Sequence, residues 1–552
     1  MNLPSPALVS ARAAQSLPRW LLLLFCAAWI IPGVFGRDPW RNDDLAAFGV
    51  MLAMAEGRTS WIAPMLGGIA VSPEPLAHWL GAGAIVVLSP WVEPALAARL
   101  PFAALLAGTL ALCWYACFHL ARTEAAQPVA FAFGGEAQPI AYARAVADGA
   151  LLALIASLGL LQMGHETTPE LMQLFAISLC LWAMAAAPYR RWPVRLGMVA
   201  GLVMLCGAGA PSMALLLSVA LAWIGAQSSF DGARRLVPWV VLGCALGSAL
   251  AAAFGTWGWR WAFAAEPAQL LQLLRQWLWF MWPAWLLAVW TLWRWRRQWR
   301  KRHISVPTAL LVTALAGNIA MGGHDRALLL GMPGLAVLAA FALPTLRRSV
   351  AAAIDWFSVI LFSLCALFMW FTYWAMHTGQ PARWAANIIK LQPGFQPSFS
   401  AFALAFALAG TLAWLALVRW RTGHSQHALW KTLVLPASGV ALSWLLLMTL
   451  WLPLLDYARS ARPLIERGRE AIGDASCIAA PEASPAMVAA LEIYAQRPVQ
   501  AGAAGAGDRT GCPVLVSFSR IDAALPLPGW RLVAAERRHR QSSDLMSVYH
   551  RL

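Results

Sequence analysis

Apolar runs about twenty residues long recur along almost the whole chain, and they constrain it more than any other feature. A hydrocarbon core about 30 Å thick takes roughly 20 consecutive apolar residues to cross as a helix. Inside it every backbone N–H and C=O must find its partner within the segment. Such runs fall at roughly 19–36, 99–121, 145–163, 170–188, 195–209, 212–229, 236–256, 277–293, 305–321, 327–345, 351–375, 401–418 and 432–454. They predict an α-helical polytopic membrane protein with about thirteen transmembrane helices. Only 12% of the residues are charged, about half the share of a soluble globular chain.

The net charge of +16 would point to nucleic acid in a soluble protein. Here the basic residues come in short clusters between apolar runs, the positive-inside pattern of a multispanning chain, so membrane lipids are the expected partner and nucleic acid is not. The stretch 76–91 decides the count. It is apolar but short, and Gly81, Gly83 and Pro90 interrupt it. Counted as a span, it would invert every later loop and expose the basic cluster at 294–302. Left out, it gives the cytoplasmic loops more than twice the Lys and Arg of the outer loops. We therefore read 76–91 as a helix on the outer face, with the N-terminus cytoplasmic. The first segment, with Arg12 and Arg19, has no small-residue cleavage site and reads as an uncleaved helix.

The first outer loop, 37–98, carries the adjacent acids Asp43 and Asp44, the tryptophans Trp40, Trp61 and Trp79, and Pro73-Glu74-Pro75. Acids this close to a bilayer are costly without a polar task. Further outer loops hold His165, Glu166 and Glu170 (GHETTPE), Arg260 and Arg275 in a Trp-rich stretch, and His324, Asp325 and Arg326 (GGHDR). From about 456 the composition becomes charged and Gly/Ala/Pro-punctuated. A helix is expected near 485–496, with strands at 513–518 and 530–534. The chain thus divides into a transmembrane domain, 1–455, and a small C-terminal α/β domain, 456–552, on the outer side. Seven of the nine cysteines lie in apolar spans, where they are ordinary filler. Cys477 and Cys512 lie in the tail, where an oxidising compartment would let them form a disulfide. No cysteine or histidine spacing demands a metal, although carboxylates leave room for a divalent cation.

The first loop resembles that of the GT-C glycosyltransferases that use polyprenyl-phosphate sugars. The residues that carry the likeness are Asp43-Asp44, Trp61-Ile62-Ala63-Pro64, Pro75-Leu76-Ala77-His78-Trp79 and Ala98-Arg99-Leu100-Pro101. Their order is similar to that in lipid A aminoarabinose transferases and protein O-mannosyltransferases (glycosyltransferase family 39/83-like). The resemblance implies a GT-C fold, a bacterial inner-membrane location with a periplasmic tail, and sugar transfer to an envelope lipid, glycan or protein. Two departures stand out. Asp-Asp replaces the family's usual Asp-Glu; spacing to Trp61 favours Asp44 as the family's first acid, and the order of the pair favours Asp43. Pro73-Glu74-Pro75 stands where the aminoarabinose branch has Glu-Lys-Pro, so the donor phosphate must find another cation. Glu170 matches the place of the family's second acid, with Glu for Asp.

Transfer to a hydroxyl needs a carboxylate to take the acceptor proton and a cation for the departing phosphate. The catalytic candidates are Asp44 with Asp43, and Glu170. The bland alternative for the pair is a helix cap. Arg99, entering a span from the outer face, is a candidate phosphate donor or an interfacial anchor. Arg58, Trp61, Glu74, His165 and Arg260 complete the substrate-binding candidates. Arg275 is an alternative to Arg260, and His324 and Arg326 follow. A transporter or lipid flippase is the rival reading, kept open by the break Gly207–Pro211 in an apolar run. Its usual signs, mid-membrane charges and repeats, are not seen in the sequence. No P-loop is present either.

Overall fold

Proline stands in the first turn of Pro75–Leu88, Pro94–Ala121, Pro139–Ala156, Pro169–Ala186 and Pro211–Ala226, where its missing N–H has no intrahelical partner to lose. These starts set the helix boundaries in a computed structural model that describes residues 5–40, 42–71, 74–257, 262–263, 266–423, 428–501, 511–519, 527–537 and 545–552. Among the described residues, 7 helices are long and apolar enough to cross a membrane, or 8 if Lys431–Leu447 and Leu452–Arg459, bent by 73°, form one span. Shorter apolar helices at Arg19–Gly33, Trp192–Gly207, Pro211–Ala226 and Met332–Thr345 occupy further predicted spans. The chain is a multi-pass membrane protein. On Arg348–Thr378 the side chains Trp356, Ile360, Leu364 and Leu367 are exposed. At that spacing they form one apolar stripe, which faces lipid.

Several predicted spans are not continuous, and two of their breaks are paired. The run at 145–163 breaks after Ala156 and resumes as Leu158–Met163. The run at 277–293 breaks between Pro267–Phe280 and Ala284–Arg294. The breaks meet: Leu158 N–H donates to the Trp282 carbonyl at 3.0 Å, and a side chain on Gly159 would collide with the Phe280 ring. Each break therefore lends the other a backbone partner, the condition for interrupting a helix at membrane depth.

Side-to-side order is also visible. The N-terminal segment pairs with the loop after Pro94–Ala121, where Val129 N–H donates to Ala7 O and Ala137 N–H to Val9 O. It also meets the start of Lys431–Leu447, since Trp430 Nε1–H donates to Gln15 O. The first loop meets the tail on the other face. Asp456 Oδ1 accepts from Asp38 N–H (2.8 Å) and Trp40 Nε1–H (2.6 Å), and Asp38 accepts from Ser460 Oγ–H and Arg462 Nη2–H at 2.7 Å each. Pro75–Leu88 has 14 residues, about 21 Å of helix. It packs on Asn42–Ala55 and Pro94–Ala121.

The first loop contains the hairpin β1 (Met65–Leu66) and β2 (Ile69–Ala70). The tail forms a five-stranded sheet from β3 (Ile478–Ala479), β4 (Val499–Gln500), β5 (Val514–Ser519), β6 (Trp530–Arg537) and β7 (Leu545–Arg551), in the order β4-β3-β5-β7-β6. The β3 pairs are parallel and the β7 pairs antiparallel. The expected tail helix is present as Pro485–Ala490, continued by one wider turn to Ala495. Cys477 and Cys512 are joined by a disulfide. The two parts share one apolar core, with Leu45, Ala53 and Leu66 of the loop packed among Val488, Leu491 and Val499 of the tail. Ala501 N–H donates to the Gly67 carbonyl at the hairpin tip. Gly49 is the closest approach: a Cβ there would stand 2.5 Å from the Ala489 Cβ. Gly49→Val should cost about 1–3 kcal/mol as an overpacked core site. Limited proteolysis will then cut the tail faster than in wild type; an unchanged cleavage rate would mean that this contact does not hold the tail.

Candidate active site

Arg326 collects three acids from two distant loops. Its Nε–H bonds Asp43 Oδ2 at 2.8 Å, Nη2–H bonds Glu166 Oε2 at 2.8 Å, and Nη1–H reaches Thr168 Oγ1 at 3.1 Å and Glu170 Oε2 at 3.5 Å. The planar fork of guanidinium donors suits this arrangement and a lysine ammonium would not. Arg326 is held in place by the loop before it. Asn318 Nδ2–H donates to His324 O (2.8 Å), Trp277 Nε1–H to Asn318 Oδ1 (2.7 Å) and Gln276 Nε2–H to Gly323 O (2.9 Å). Burial works against the Arg326 charge, but Glu170, Glu166 and Asp43 outweigh it and hold the guanidinium above its ordinary value. The acids lie at graded depth. The Glu166 side chain is 0% exposed, Glu170 22% and Asp43 60%, so Asp43 stands at the mouth.

Asp44 points the other way. Its side chain is fully buried and Oδ1 accepts from Thr167 N–H (2.7 Å) and Thr167 Oγ1–H (2.6 Å), with Arg37 Nη1 at 3.6 Å from Oδ2. Arg37 in turn donates to the carbonyls of Gly33 and His165. The pair is thus split into one exposed and one buried carboxylate, in the first turn of Asn42–Ala55, where the helix dipole favours negative charge. His165 is buried, its ring packed between Trp29 (5.1 Å) and Trp444 (4.8 Å). Its ring nitrogens face the carbonyls of Leu161 and Trp29. Burial pushes its pKa down to about 4, with Arg37 adding to the shift and the Leu161 carbonyl opposing it. The neutral ring therefore serves only one of the two carbonyls.

The other predicted residues are dispersed. Arg58 pairs with Glu56 at 2.6 Å and with Glu492 of the tail, so it links loop to tail. Trp61 is exposed, and its carbonyl accepts from Trp79 Nε1–H at 2.7 Å. Glu74 lies 3.9 Å from His78 Nε2 and against Gly209, where a Cβ would meet Glu74 Cγ at 2.8 Å. The Gly207–Pro211 break, with Gly209 at φ +88°, thus makes room for Glu74. Arg99 is buried beneath the loop with Nη1 3.4 Å from Val34 O. Arg260 lies outside the described residues, as do Trp259 and Trp261.

Beside the cluster, Arg275, Gln272 and Gln276 line a cavity of about 480 Å³ with Trp279, Phe280 and Asp325. The two helix breaks border it. One wall is polar, with Asp325 beside Arg275 and the two glutamines, and another carries the rings of Trp279 and Phe280. Among the described residues no group of three or more His, Cys, Asp or Glu is arranged to hold a metal ion. The three acids converge on Arg326, whose guanidinium fills the position a divalent cation would take, so the cluster does not fit one.

Two solved structures share this architecture along nearly its full length. They are ArnT from Cupriavidus metallidurans in the apo state and the same protein bound to undecaprenyl phosphate, each with a TM-score of 0.61, 14% identity, and coverage of 96% of this chain and 98% of the other. The chain has the ArnT fold. The helical membrane domain followed by a small α/β tail, expected from the sequence, is therefore the observed fold. At the level of sequence, no family model and no curated protein matches.

Within that fold, the sequence reading underweighted Glu166 and Arg326. The available signal was the Asp43-Asp44 pair together with Glu166 and Glu170, close-set outer acids for which GGHDR offers a cation. The split of the acid pair has a direct consequence. Asp44→Asn strands the buried Arg37 guanidinium and should destabilise the protein by about 3–5 kcal/mol. Asp43→Asn, at the exposed position, should leave the thermal midpoint in detergent within a few degrees of wild type. Equal midpoints for the two variants would refute the division of roles.

Proposed function

We propose that the protein is a membrane glycosyltransferase that moves a sugar from a polyprenyl-phosphate donor to an envelope lipid, glycan or protein. The observation that carries this reading is Asp43, a solvent-open carboxylate oriented by Arg326 beside the Arg275 cavity, in the fold of a protein that has been crystallised with undecaprenyl phosphate. Asp43 takes the proton of the acceptor nucleophile as that atom attacks the anomeric carbon. The bond from this carbon to the phosphate oxygen breaks, and its electron pair leaves with polyprenyl phosphate. Attack opposite the leaving group inverts the anomeric centre. Arg275, with the amides of Gln272 and Gln276, meets the negative charge of the departing phosphate, a preorganised cation at the point where charge develops. Arg326 is a positioning residue, its donors already committed to Asp43, Glu166, Thr168 and Glu170. Trp61 offers an exposed ring for the sugar, and Glu170 a second acid near it. The positive-inside distribution supports a cytoplasmic N-terminus, with site and tail on the periplasmic face of a bacterial inner membrane.

The test is transfer by purified protein in lipid from a panel of radiolabelled polyprenyl-phosphate sugars to an envelope extract. Asp43→Asn should lower the rate by about 10²–10⁴-fold, the usual worth of a general base, while donor binding persists. Full transfer by that variant would move the base elsewhere. Because the acids carry their own cation, excess chelator should leave the rate within about twofold, well under the several kcal/mol that a catalytic metal supplies. A large loss restored by magnesium or manganese would overturn that reading.

A further inference from the structure

The end of the transmembrane domain far from the acid cluster holds a second charged cavity. It measures about 500 Å³ and lies between the starts of Arg348–Thr378 and Lys431–Leu447 and the last turns of Ala401–Gly423. Lys431–Leu447 is 17 residues long, so Lys431 lies about 25 Å along its axis from the first-loop side. Arg348, Arg421 and Lys431 line the cavity, and Asp355 is the one carboxylate among its lining residues. Asp355 Oδ2 pairs with Arg421 Nη2, which leaves two cations in excess. Lys431 is 2% exposed, with its ammonium 5.1 Å over the Trp420 ring, a contact that does not neutralise it.

Three features say that an anion belongs here. Arg348 and Lys431 are each the first residue of a helix of at least 17 residues, where the dipole disfavours a cation unless negative charge is added. The first turn of Arg348–Thr378 adds backbone N–H groups that have no intrahelical acceptor, the groups an anion site uses. Arg421 Nε is buried without a hydrogen-bond partner. A fourth feature selects the anion. Trp356 lines the cavity and is also the first member of the lipid-facing stripe that continues through Ile360 and Leu364. A phosphate in the cavity that carried acyl chains could lay them along that stripe.

We infer that this cavity binds the phosphate headgroup of an anionic membrane lipid, on the face opposite the acid cluster. Basic pockets between transmembrane helices recognise such headgroups through the same combination of cations and apolar walls. With the positive-inside orientation, that face is the cytoplasmic leaflet. The inference requires only that the chain be embedded in a bilayer, and it stands or falls apart from the proposed reaction.

Native mass spectrometry of the full chain from nanodiscs of mixed phosphatidylcholine and phosphatidylglycerol tests it, with thermal unfolding in the same discs. The wild type should retain phosphatidylglycerol in preference to phosphatidylcholine and unfold at a higher temperature as its share rises. Arg348 is exposed, so Arg348→Gln should keep its midpoint in pure phosphatidylcholine while losing about fivefold in phosphatidylglycerol retention, the worth of one cation near an anionic headgroup. Arg348→Lys should restore most of it, and Lys431→Gln should add a further loss. Retention without headgroup preference, or an Arg348→Gln variant indistinguishable from wild type, would overturn the inference. So would inorganic phosphate that competes as well as the lipid does, since the site would then take a free anion.

Discussion

The bond between Arg326 and its three acids is the contact on which the outer face depends. It joins the first loop, the GHETTPE loop and the GGHDR loop, segments separated by as many as 283 residues. A buried guanidinium is expensive to desolvate, and the cost is met only where several carboxylates share it with good geometry. Depth grades the outcome. Glu166, wholly buried, is committed to the pairing, whereas Asp43 keeps most of its surface open to solvent while one oxygen is held. One interaction thus provides both a rigid junction and a presented carboxylate.

The second junction works by the same logic with a different partner. Asp38 N–H donates to Asp456 across the base of the tail, and the Asp38 carboxylate accepts from Arg462 and Ser460. The tail is therefore continuous with the first loop in packing, although 456 marks a clear change of composition. Gly49 permits the helix contact and the Gly67 carbonyl caps the sheet edge at Ala501. Loop and tail form a single platform over the membrane helices, and the position of Asp43 is fixed from above as well as below.

What the sequence could reveal follows from range. The apolar runs, the proline starts and the first-loop motif are local patterns, and the architecture read from them is the one observed. The side-chain pairings are not local. Nothing near Asp43 or Asp44 says which acid turns inward; that is decided by Thr167, on a loop 123 residues away. The paired breaks at 157 and 281–283 are hidden from the sequence for a related reason. A hydropathy run records apolarity without recording that helices end at Ala156 and Phe280, or that Leu158 N–H then donates to the Trp282 carbonyl. Pro283 and Gly159 were the available signs, and either alone reads as a tolerable kink.

The distribution of charge around the mouth carries the argument about substrate one step further. Asp43, Glu170 and Glu74 are all partly exposed acids, and the cation among them, Arg326, is 1% exposed and already engaged. An approaching group therefore meets negative charge at the cluster, and at the neighbouring cavity the cation Arg275 beside the carboxylate Asp325. In the proposed reaction the donor phosphate would lie toward Arg275 and its chain along Trp279 and Phe280. The sugar would then project toward the acids. A glutamate at position 74, where the resembling enzymes carry a lysine, is consistent with that partition. It removes a cation from the acid side, and the Gly207–Pro211 turn makes room for it; in the proposed reaction Arg275 takes that role.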